Sequence, residues 1–139
     1  MKTYHLKNRP DREITLQREI DELLKNNKYV VISMCRENEP YIVTLSYGYD
    51  PSTRSLYMHC NSNGLKTDFI KVNPNVCATI IEDGGYMIDD CTQKYIYLVF
   101  CGKIHILEHL EEKKYGMNIL LNHLENNPDF IKEKMLKAD

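Results

Sequence analysis

Strand-like segments separated by short polar turns, with a single helical segment among them, are the feature that most constrains this chain. Residues 41–49 alternate, with Tyr41, Val43, Leu45 and Tyr47 on one face, which is the period of a half-buried strand. Further segments that predict strands are 29–35, 56–60, 76–82 and 95–107. Because most connections are of hairpin length and no parallel βαβ alternation is visible, the pattern favours an antiparallel barrel over a Rossmann sheet.

Helical patterns lie at both ends of the chain and at one point between the strands. The polar, charged residues 1–13 predict an extended arm, after which apolar residues recur at helical spacing to about Lys25. A second helix is predicted from Gly64 to Val72, and residues 110–137 predict two helices at the C-terminal end. The fold class expected is therefore mainly β, with one inserted helix and helices at both ends.

Length and composition indicate a small cytoplasmic domain. A chain of 139 residues fits one domain, and a net charge of −2 without a basic run argues against a nucleic-acid partner. The first residues lack an apolar signal core, and no segment approaches the ~20 apolar residues of a membrane span. The cysteines form no C-x-x-C pair, so we expect free cysteines that pack as small core residues in a reducing cytoplasm. They are Cys35, Cys60, Cys77, Cys91 and Cys101.

Residues that often ligate metals do not form a metal motif in this sequence. His105 and His109 stand four apart, but their segment straddles the end of a predicted strand, so this spacing does not bring them together. His123 lies among Asn and Glu and is expected to be solvated. The acidic pairs at 82–83 and 89–90 most simply predict a solvated loop over residues 83–92, with weak cation binding as the alternative. We therefore predict no metal site.

The segment 56–70 is where local physics proposes a ligand. A predicted strand containing His59 leads into the turn residues 61–63, and Gly64 then opens a helix that carries Lys66. Unpaired N–H groups and the positive dipole end at a helix start, together with a lysine, suit a phosphate. The same residues also suit an ordinary strand-to-helix connection, because the segment lacks the G-x-x-x-x-G-K-[ST] spacing of a nucleotide-binding loop.

Several motifs in order resemble a known family. They are Asp11–Ile14, Glu39–Asp50, Leu56–His59, Gly64–Lys66 and Asn73–Cys77. Together they resemble the flavin-binding split-barrel proteins of the pyridoxamine-phosphate-oxidase-like group, particularly the branch related to nitroimidazole-resistance proteins. The most specific element is His-x-x-x-x-Gly-x-Lys between a strand and a helix, and the similarity extends from about Pro10 to Leu124.

The resemblance implies a six-stranded antiparallel split barrel that forms a homodimer, with flavin mononucleotide (FMN) in the cleft between the two subunits. One strand would lie along the isoalloxazine ring and offer it backbone groups: Ile42, Val43, Thr44, Leu45 and Ser46. The residues that would line the ribityl and phosphate path are His59, Cys60, Asn61 and Ser62. Those that would hold the phosphate are Gly64, Leu65 and Lys66.

The chain departs from the family pattern in two strands. The family often has Pro where this chain has Thr44. Its long strand often reads Tyr-Arg-Ser-Val ahead of a glycine, whereas residues 95–98 of this chain read Tyr-Ile-Tyr-Leu ahead of Gly102. Ile96 therefore replaces a basic residue, and Tyr97 replaces a small residue that faces the cofactor. Tyr97 is a candidate either to stack on the flavin or to occupy part of its site.

The function implied by the resemblance is that of an FMN-dependent oxidoreductase. It would transfer a hydride or electrons through the flavin to a small acceptor, such as a nitroaromatic of the nitroimidazole type. One alternative is a carrier or sensor that binds flavin or haem on the same fold without catalysis. Another is a barrel that has lost its cofactor, which the change at Tyr97 suggests.

Overall fold

The computed structural model describes residues 6–137, and the order of its elements matches the predicted alternation of strands and helices. The strands are β1 (Tyr29–Arg36), β2 (Glu39–Ser46), β3 (Gly48–Asp50), β4 (Ser55–Tyr57), β5 (Asn75–Met87) and β6 (Thr92–Lys103). The α-helices are α1 (Gln17–Asn26), α2 (Leu65–Val72), α3 (Leu110–Leu124) and α4 (Pro128–Lys137). No helix within the described residues is both long and apolar enough to cross a membrane.

The described strands pair antiparallel in two separate sheets. Four of them form a sheet in the order β2-β1-β5-β6, and β3 pairs with β4 in a second sheet. The predicted antiparallel architecture with an inserted helix is confirmed. The described strands form these two sheets and not one closed barrel. The break falls at Tyr47, inside the segment predicted as one strand, where the backbone N–H donates to Lys28 O at 3.1 Å.

Tyr47 fixes this break because its side chain is fully buried and bonded. Its hydroxyl donates to Leu24 O at the end of α1, at 2.6 Å, and burial raises the pKa of the phenol well above its ordinary value. The core forms where α1, α2 and β3 meet the inner face of the larger sheet. Its buried members are Leu24, Val30, Ile32, Met34, Tyr47, Tyr49, Phe69, Ala78 and Ile80.

The segment predicted as a loop at 83–92 is instead mostly strand, so that prediction is wrong. β5 runs to Met87 and β6 begins at Thr92, which leaves a short turn. A bulge between Asp83 and Tyr86 takes up the two glycines that suggested a loop, and Gly85 adopts a left-handed φ of 89° there. We call the hairpin of residues 81–97 the arm, because most of its residues are exposed on both faces.

Three smaller boundary predictions are also wrong. β4 ends at Tyr57, so His59 and Cys60 belong to a loop. β6 ends at Lys103, the partner of Asn75; Ile104 N–H still donates to Pro74 O at 2.9 Å, but a proline has no N–H to continue the ladder. Residues 1–13 were predicted to be extended, but Pro10–Arg12 form a 3-10 helix. Residues 1–5 lie outside the described residues.

The prediction of free, core-packed cysteines is wrong as well. Cys77 and Cys101 lie opposite each other on β5 and β6 and form a disulfide. Cys35, Cys60 and Cys91 are free but exposed. The alternation of side chains along β5 and β6 explains why Cys77 and Cys101 meet outside the core. Ala78 and Phe100 are on the core face, so the cysteines next to them face outward.

Candidate functional site

The start of α2 has three backbone donors that the helix itself does not use. Gly64 is the N-cap, and the first backbone bond of the helix runs from Asp68 N–H to Gly64 O at 3.1 Å. The N–H groups of Leu65, Lys66 and Thr67 precede that bond, so the helix itself does not use them. A Cβ added to Gly64 would meet nothing within 4 Å, so the space beside the turn is open. This arrangement fits an anion such as a phosphate.

The turn before α2 is held from inside. Thr67 is only 3% exposed and donates its hydroxyl to Asn61 O at 3.0 Å, which ties the loop to the first turn of the helix. Phe69, fully buried, anchors the helix under β1 and β2. Its ring lies 5.0 Å from that of Tyr41, and the Arg36 guanidinium lies 4.4 Å from its centroid. Buried side chains therefore hold the helix start and its unused N–H groups in place.

The predicted ring-binding strand is an edge strand. β2 lies at one end of the order β2-β1-β5-β6, so the N–H and C=O groups on its outer edge are outside the four-stranded ladder. Ile42, Thr44 and Ser46 are exposed, whereas Val43 and Leu45 pack against the core. A planar ring with polar edges could bond to such a free strand edge.

The phosphate-path residues predicted from the resemblance lie together in one loop. His59, Cys60, Asn61 and Ser62 are all exposed between β4 and α2. Leu65 is exposed and Lys66 is half-buried at the start of the helix. The structure therefore brings this loop and the helix start together. β2 contacts helix α2 through the ring of Tyr41, which lies beside that of Phe69, and then runs on toward Ser46.

Tyr97 lies at the opposite edge of the larger sheet. It stands on β6, pairs with Ile81 of β5 and packs its ring 5.5 Å from that of Tyr95. Because β1 and β5 separate β6 from β2, three strand spacings, about 14 Å along the sheet, lie between the two edges. Within one chain, the sheet does not place Tyr97 beside Ile42–Ser46.

Sequence reasoning missed a buried carboxylate at the end of β3. Asp50 is 4% exposed, and its Oδ1 accepts from the N–H and hydroxyl of Ser52 at 3.0 and 2.7 Å. Its Oδ2 accepts from Thr53 Oγ1 at 3.0 Å and from the Tyr115 hydroxyl at 2.6 Å. These bonds, the one from Tyr115 foremost, hold the pKa of Asp50 at about 2.

We call Asp50, Ser52, Thr53 and Tyr115 the Asp50 cluster. Each of its carboxylate oxygens has two internal donors, so the cluster fixes the turn after β3 to helix α3 and is not arranged as an acid or base for a substrate. The Asp-Pro-Ser-Thr run signals a turn closed by the aspartate. Nothing local signals that Tyr115 completes it.

The prediction that His123 is solvated is wrong. The imidazole is half-buried, with Nε2 2.7 Å from Asn27 O and Nδ1 accepting the Tyr49 N–H at 3.4 Å. A neutral ring with its proton on Nε2 satisfies both bonds. Its ring also lies 5.0 Å from that of Tyr47. His123 thus joins α3 to the end of α1 and to β3 as a structural residue.

Known protein families include one with this antiparallel fold and its inserted helix. The family model of pyridoxamine 5'-phosphate oxidase matches residues 17–138. This chain belongs to that family.

Solved structures resemble this fold at low sequence identity. A candidate 5-nitroimidazole antibiotic resistance protein from Bacteroides thetaiotaomicron aligns with a TM-score of 0.70 and 23% identity, over 81% of this chain and 69% of that one. An FAD-binding protein from Mesorhizobium loti aligns at 0.63 and 21%, over 84% and 78%. A haem storage protein from Vibrio cholerae aligns at 0.63 and 16%, over 84% and 80%. A search of curated proteins found no significant match.

Proposed function

We propose that this protein binds FMN, with the phosphate at the start of α2. The observation that carries the proposal is the open turn at Gly64, where three unused N–H groups and Lys66 stand together. Membership of the pyridoxamine 5'-phosphate oxidase family supports it, as does the likeness to an FAD-binding protein. A flavin with a terminal phosphate matches both the anion site and the free strand edge of β2.

Each part of the site has its own task in this proposal. Lys66 and the N–H groups of residues 65–67 hold the phosphate, and the loop 59–62 lines the ribityl chain. The outer edge of β2, residues 42–46, orients the ring through backbone groups. FMN itself, when bound, supplies hydride or electron transfer. The described groups hold and orient the cofactor, and no side chain in this set acts as a nucleophile.

We further propose that two copies of the chain pair through the arm. Large apolar side chains are exposed on its two strands and in the turn between them: Ile81, Tyr86, Met87, Ile88, Tyr95 and Ile96. A two-stranded ribbon exposed on both faces is marginal by itself, and a contiguous apolar surface of this kind marks an interface. An open cavity of about 410 Å³ on the arm, lined by Ile81, Asp83, Gln93 and Tyr95, would receive part of the second copy.

The reaction proposed is reduction of a small acceptor of the nitroaromatic type, in the cytoplasm. The likeness to the candidate 5-nitroimidazole resistance protein supports the acceptor class. The three exposed free cysteines suit a reducing compartment. The second candidate is a flavin or haem carrier or sensor, which the likeness to the haem storage protein favours. Loss of a nitroimidazole's nitro absorbance with NAD(P)H and FMN-loaded protein supports the enzyme; bound flavin without turnover supports the carrier.

The phosphate assignment is tested by Lys66→Ala, with Lys71→Ala as the matched control. Lys71 lies in the last turn of the same helix, so its removal changes net charge equally without touching the turn. Loss of a charge-assisted bond of about 1.5–3 kcal/mol predicts that Lys66→Ala weakens FMN binding roughly 10- to 100-fold, measured by quenching of flavin fluorescence.

Riboflavin, which lacks the phosphate, separates the phosphate site from the ring site. We expect it to bind the Lys66→Ala variant and the unaltered protein equally, because the missing lysine contacts only the phosphate. Equal FMN affinity for the unaltered protein, Lys66→Ala and Lys71→Ala would overturn the phosphate assignment. A parallel loss of riboflavin binding would show that the substitution disturbs the ring site instead.

A further inference from the structure

The disulfide between Cys77 and Cys101 lies on the exposed face of the larger sheet. The two residues are direct partners in the β5–β6 register, with Cα atoms 4.2 Å apart. Both are exposed. The strand register places the two sulfurs next to each other, so the bond can open and close without moving the backbone far. Exposure gives a small thiol or disulfide access to either sulfur.

The position of this pair gives it control over the arm. The register of β5 and β6 ends at Asn75 and Lys103, two residues beyond the cysteines. The disulfide therefore closes a loop that contains the whole arm, and its two ends are separated by 24 residues in sequence. Met87, at the far end of β5, is ten residues from Cys77, or about 34 Å along the strand. The bond thus cross-links the hairpin four residues below the first pair of the arm, Ile81 and Tyr97, and leaves its apolar end uncovered.

We propose that Cys77 and Cys101 form a reversible redox clamp on the arm, set by low-molecular-weight thiols and disulfides. A disulfide in a reducing cytoplasm, the compartment proposed above, is typically transient or redox-sensing. The other cysteines lack such a neighbour: among the described residues, Cys35, Cys60 and Cys91 are free, and Cys35 Sγ bonds to Glu37 O at 3.1 Å. The clamp is therefore specific to this one pair.

The exchange is balanced with a small disulfide such as oxidised glutathione. One cysteine thiolate attacks the small disulfide, forms a mixed disulfide and releases one small thiol. The second cysteine thiolate then attacks the protein sulfur of the mixed disulfide and releases the other small thiol. The protein loses two electrons and two protons, and the small disulfide gains both. Reduction by excess thiol follows the same steps in reverse.

Oxidation should suppress opening of the arm. β6 is an edge strand that pairs with β5 alone, and when the two strands separate down to the cysteines, a cross-link there lowers the entropy that the open hairpin can gain. We therefore expect amide hydrogens of residues 82–96 to exchange at least about fivefold more slowly in the oxidised protein. Amides of α3, outside the closed loop, should exchange equally in both states.

Thiol counting tests the chemistry directly. The full chain carrying Cys35→Ser, Cys60→Ser and Cys91→Ser is equilibrated in glutathione buffers of varied ratio, quenched with acid, alkylated and weighed intact. The clamp predicts molecules with zero or two alkylated thiols, in a proportion that follows the buffer and reverses. The same protein with Cys101→Ser added should instead accumulate a single glutathione adduct.

Two results of the thiol counting would overturn the clamp. One is a pair that stays bonded in excess reduced glutathione, which would make the disulfide a permanent structural link. The other is a pair that gives stable single adducts at every ratio. Hydrogen exchange on the unaltered protein provides a readout without substitutions, and equal exchange of the arm in both states would also contradict the proposal.

A link to dimerisation rests on the proposed function above. If the arm joins two subunits, its clamped form should associate more tightly, measured by sedimentation under oxidising and reducing conditions. Thiol counting does not depend on association. A clamp without a change in sedimentation would therefore count against the proposed dimer contact and leave the redox chemistry standing.

Discussion

Two regions of the molecule differ in how their side chains are accommodated. One is the region around β3 and α3, and the other is the arm. Around β3, the buried polar groups find partners within the chain: Asp50 has four internal donors, and Tyr49 donates to Asp21 at 2.5 Å. The arm has a good backbone ladder but leaves Ile81, Tyr95 and Ile96 exposed. One region is complete within a single chain, whereas the other leaves large apolar side chains exposed to solvent.

The largest expected effect tests how completely the first region is packed. A Cβ at Gly48 would lie 2.5 Å from Leu120 Cα, in the backbone of α3. Backbone cannot move aside as a flexible side chain can, so Gly48→Ala should lower the free energy of unfolding by about 2–4 kcal/mol in a urea titration.

Gly102→Ala is the matched control for that substitution. Gly102 is also in a strand, but an added Cβ would meet nothing within 4 Å there. We expect its unfolding free energy to change by no more than about 0.5 kcal/mol. Similar losses in the two variants would contradict the close approach of α3 to β3.

A smaller effect tests the arm as an interface. Ile81→Ser should weaken dimerisation about tenfold or more, because burial of an isoleucine contributes roughly 1.5–3 kcal/mol. Val72→Ser is the control, since Val72 at the end of α2 is 58% exposed and Ile81 is 59% exposed. Sedimentation equilibrium measures both. Unchanged association of the Ile81→Ser variant would remove this residue from the subunit contact.

The third effect appears only in acid and sharpens the role of the Asp50 cluster. The pKa of Asp50 in the folded chain is about 2, below the ordinary value of 3.8. A depressed folded pKa adds stability above the unfolded pKa, and that contribution is lost as the pH falls from about 4 to 2. Thermal midpoints of the unaltered protein should therefore fall over this range more steeply than those of Asp50→Asn.

Tyr115→Phe provides a second measurement on the same cluster. Removing the hydroxyl takes away the foremost cause of the low pKa of Asp50, so the acid-dependent loss should shrink. In the double variant with Asp50→Asn, the tyrosine change should have no further effect on the pH dependence. An acid profile that Tyr115→Phe leaves unaltered would contradict the contact.

Local patterns predicted α2 and its opening at Gly64 correctly, because a helix start depends on neighbouring residues. The features that were missed depend on distant partners. Tyr47 breaks the predicted strand by bonding to Leu24 O, and Asp50 is completed by Tyr115, 65 residues away. Gly84 and Gly85 suggested a loop because a bulge uses the same residues.

In the candidate site too, features set by neighbouring residues were predicted and features set by distant segments were missed. The sequence predicted a phosphate turn at residues 64–66, and the structure has open donors there. It did not predict that Tyr97 lies at the other edge of the sheet from Ile42–Ser46, because strand order depends on pairing between distant segments. The pairing of Cys77 with Cys101 was missed for the same reason.

The narrow pairing of β1 with β5 has a consequence for the route of folding. β1–β2 and β5–β6 are hairpins whose partners are close in sequence, whereas residues 31–33 meet residues 77–79 across β2, β3, β4 and α2. Local hairpins close in microseconds, but contacts between distant segments carry the cost of closing a long loop. Docking of one hairpin on the other through β1 and β5 should therefore limit the folding rate, because it closes the loop that contains β2, β3, β4 and α2.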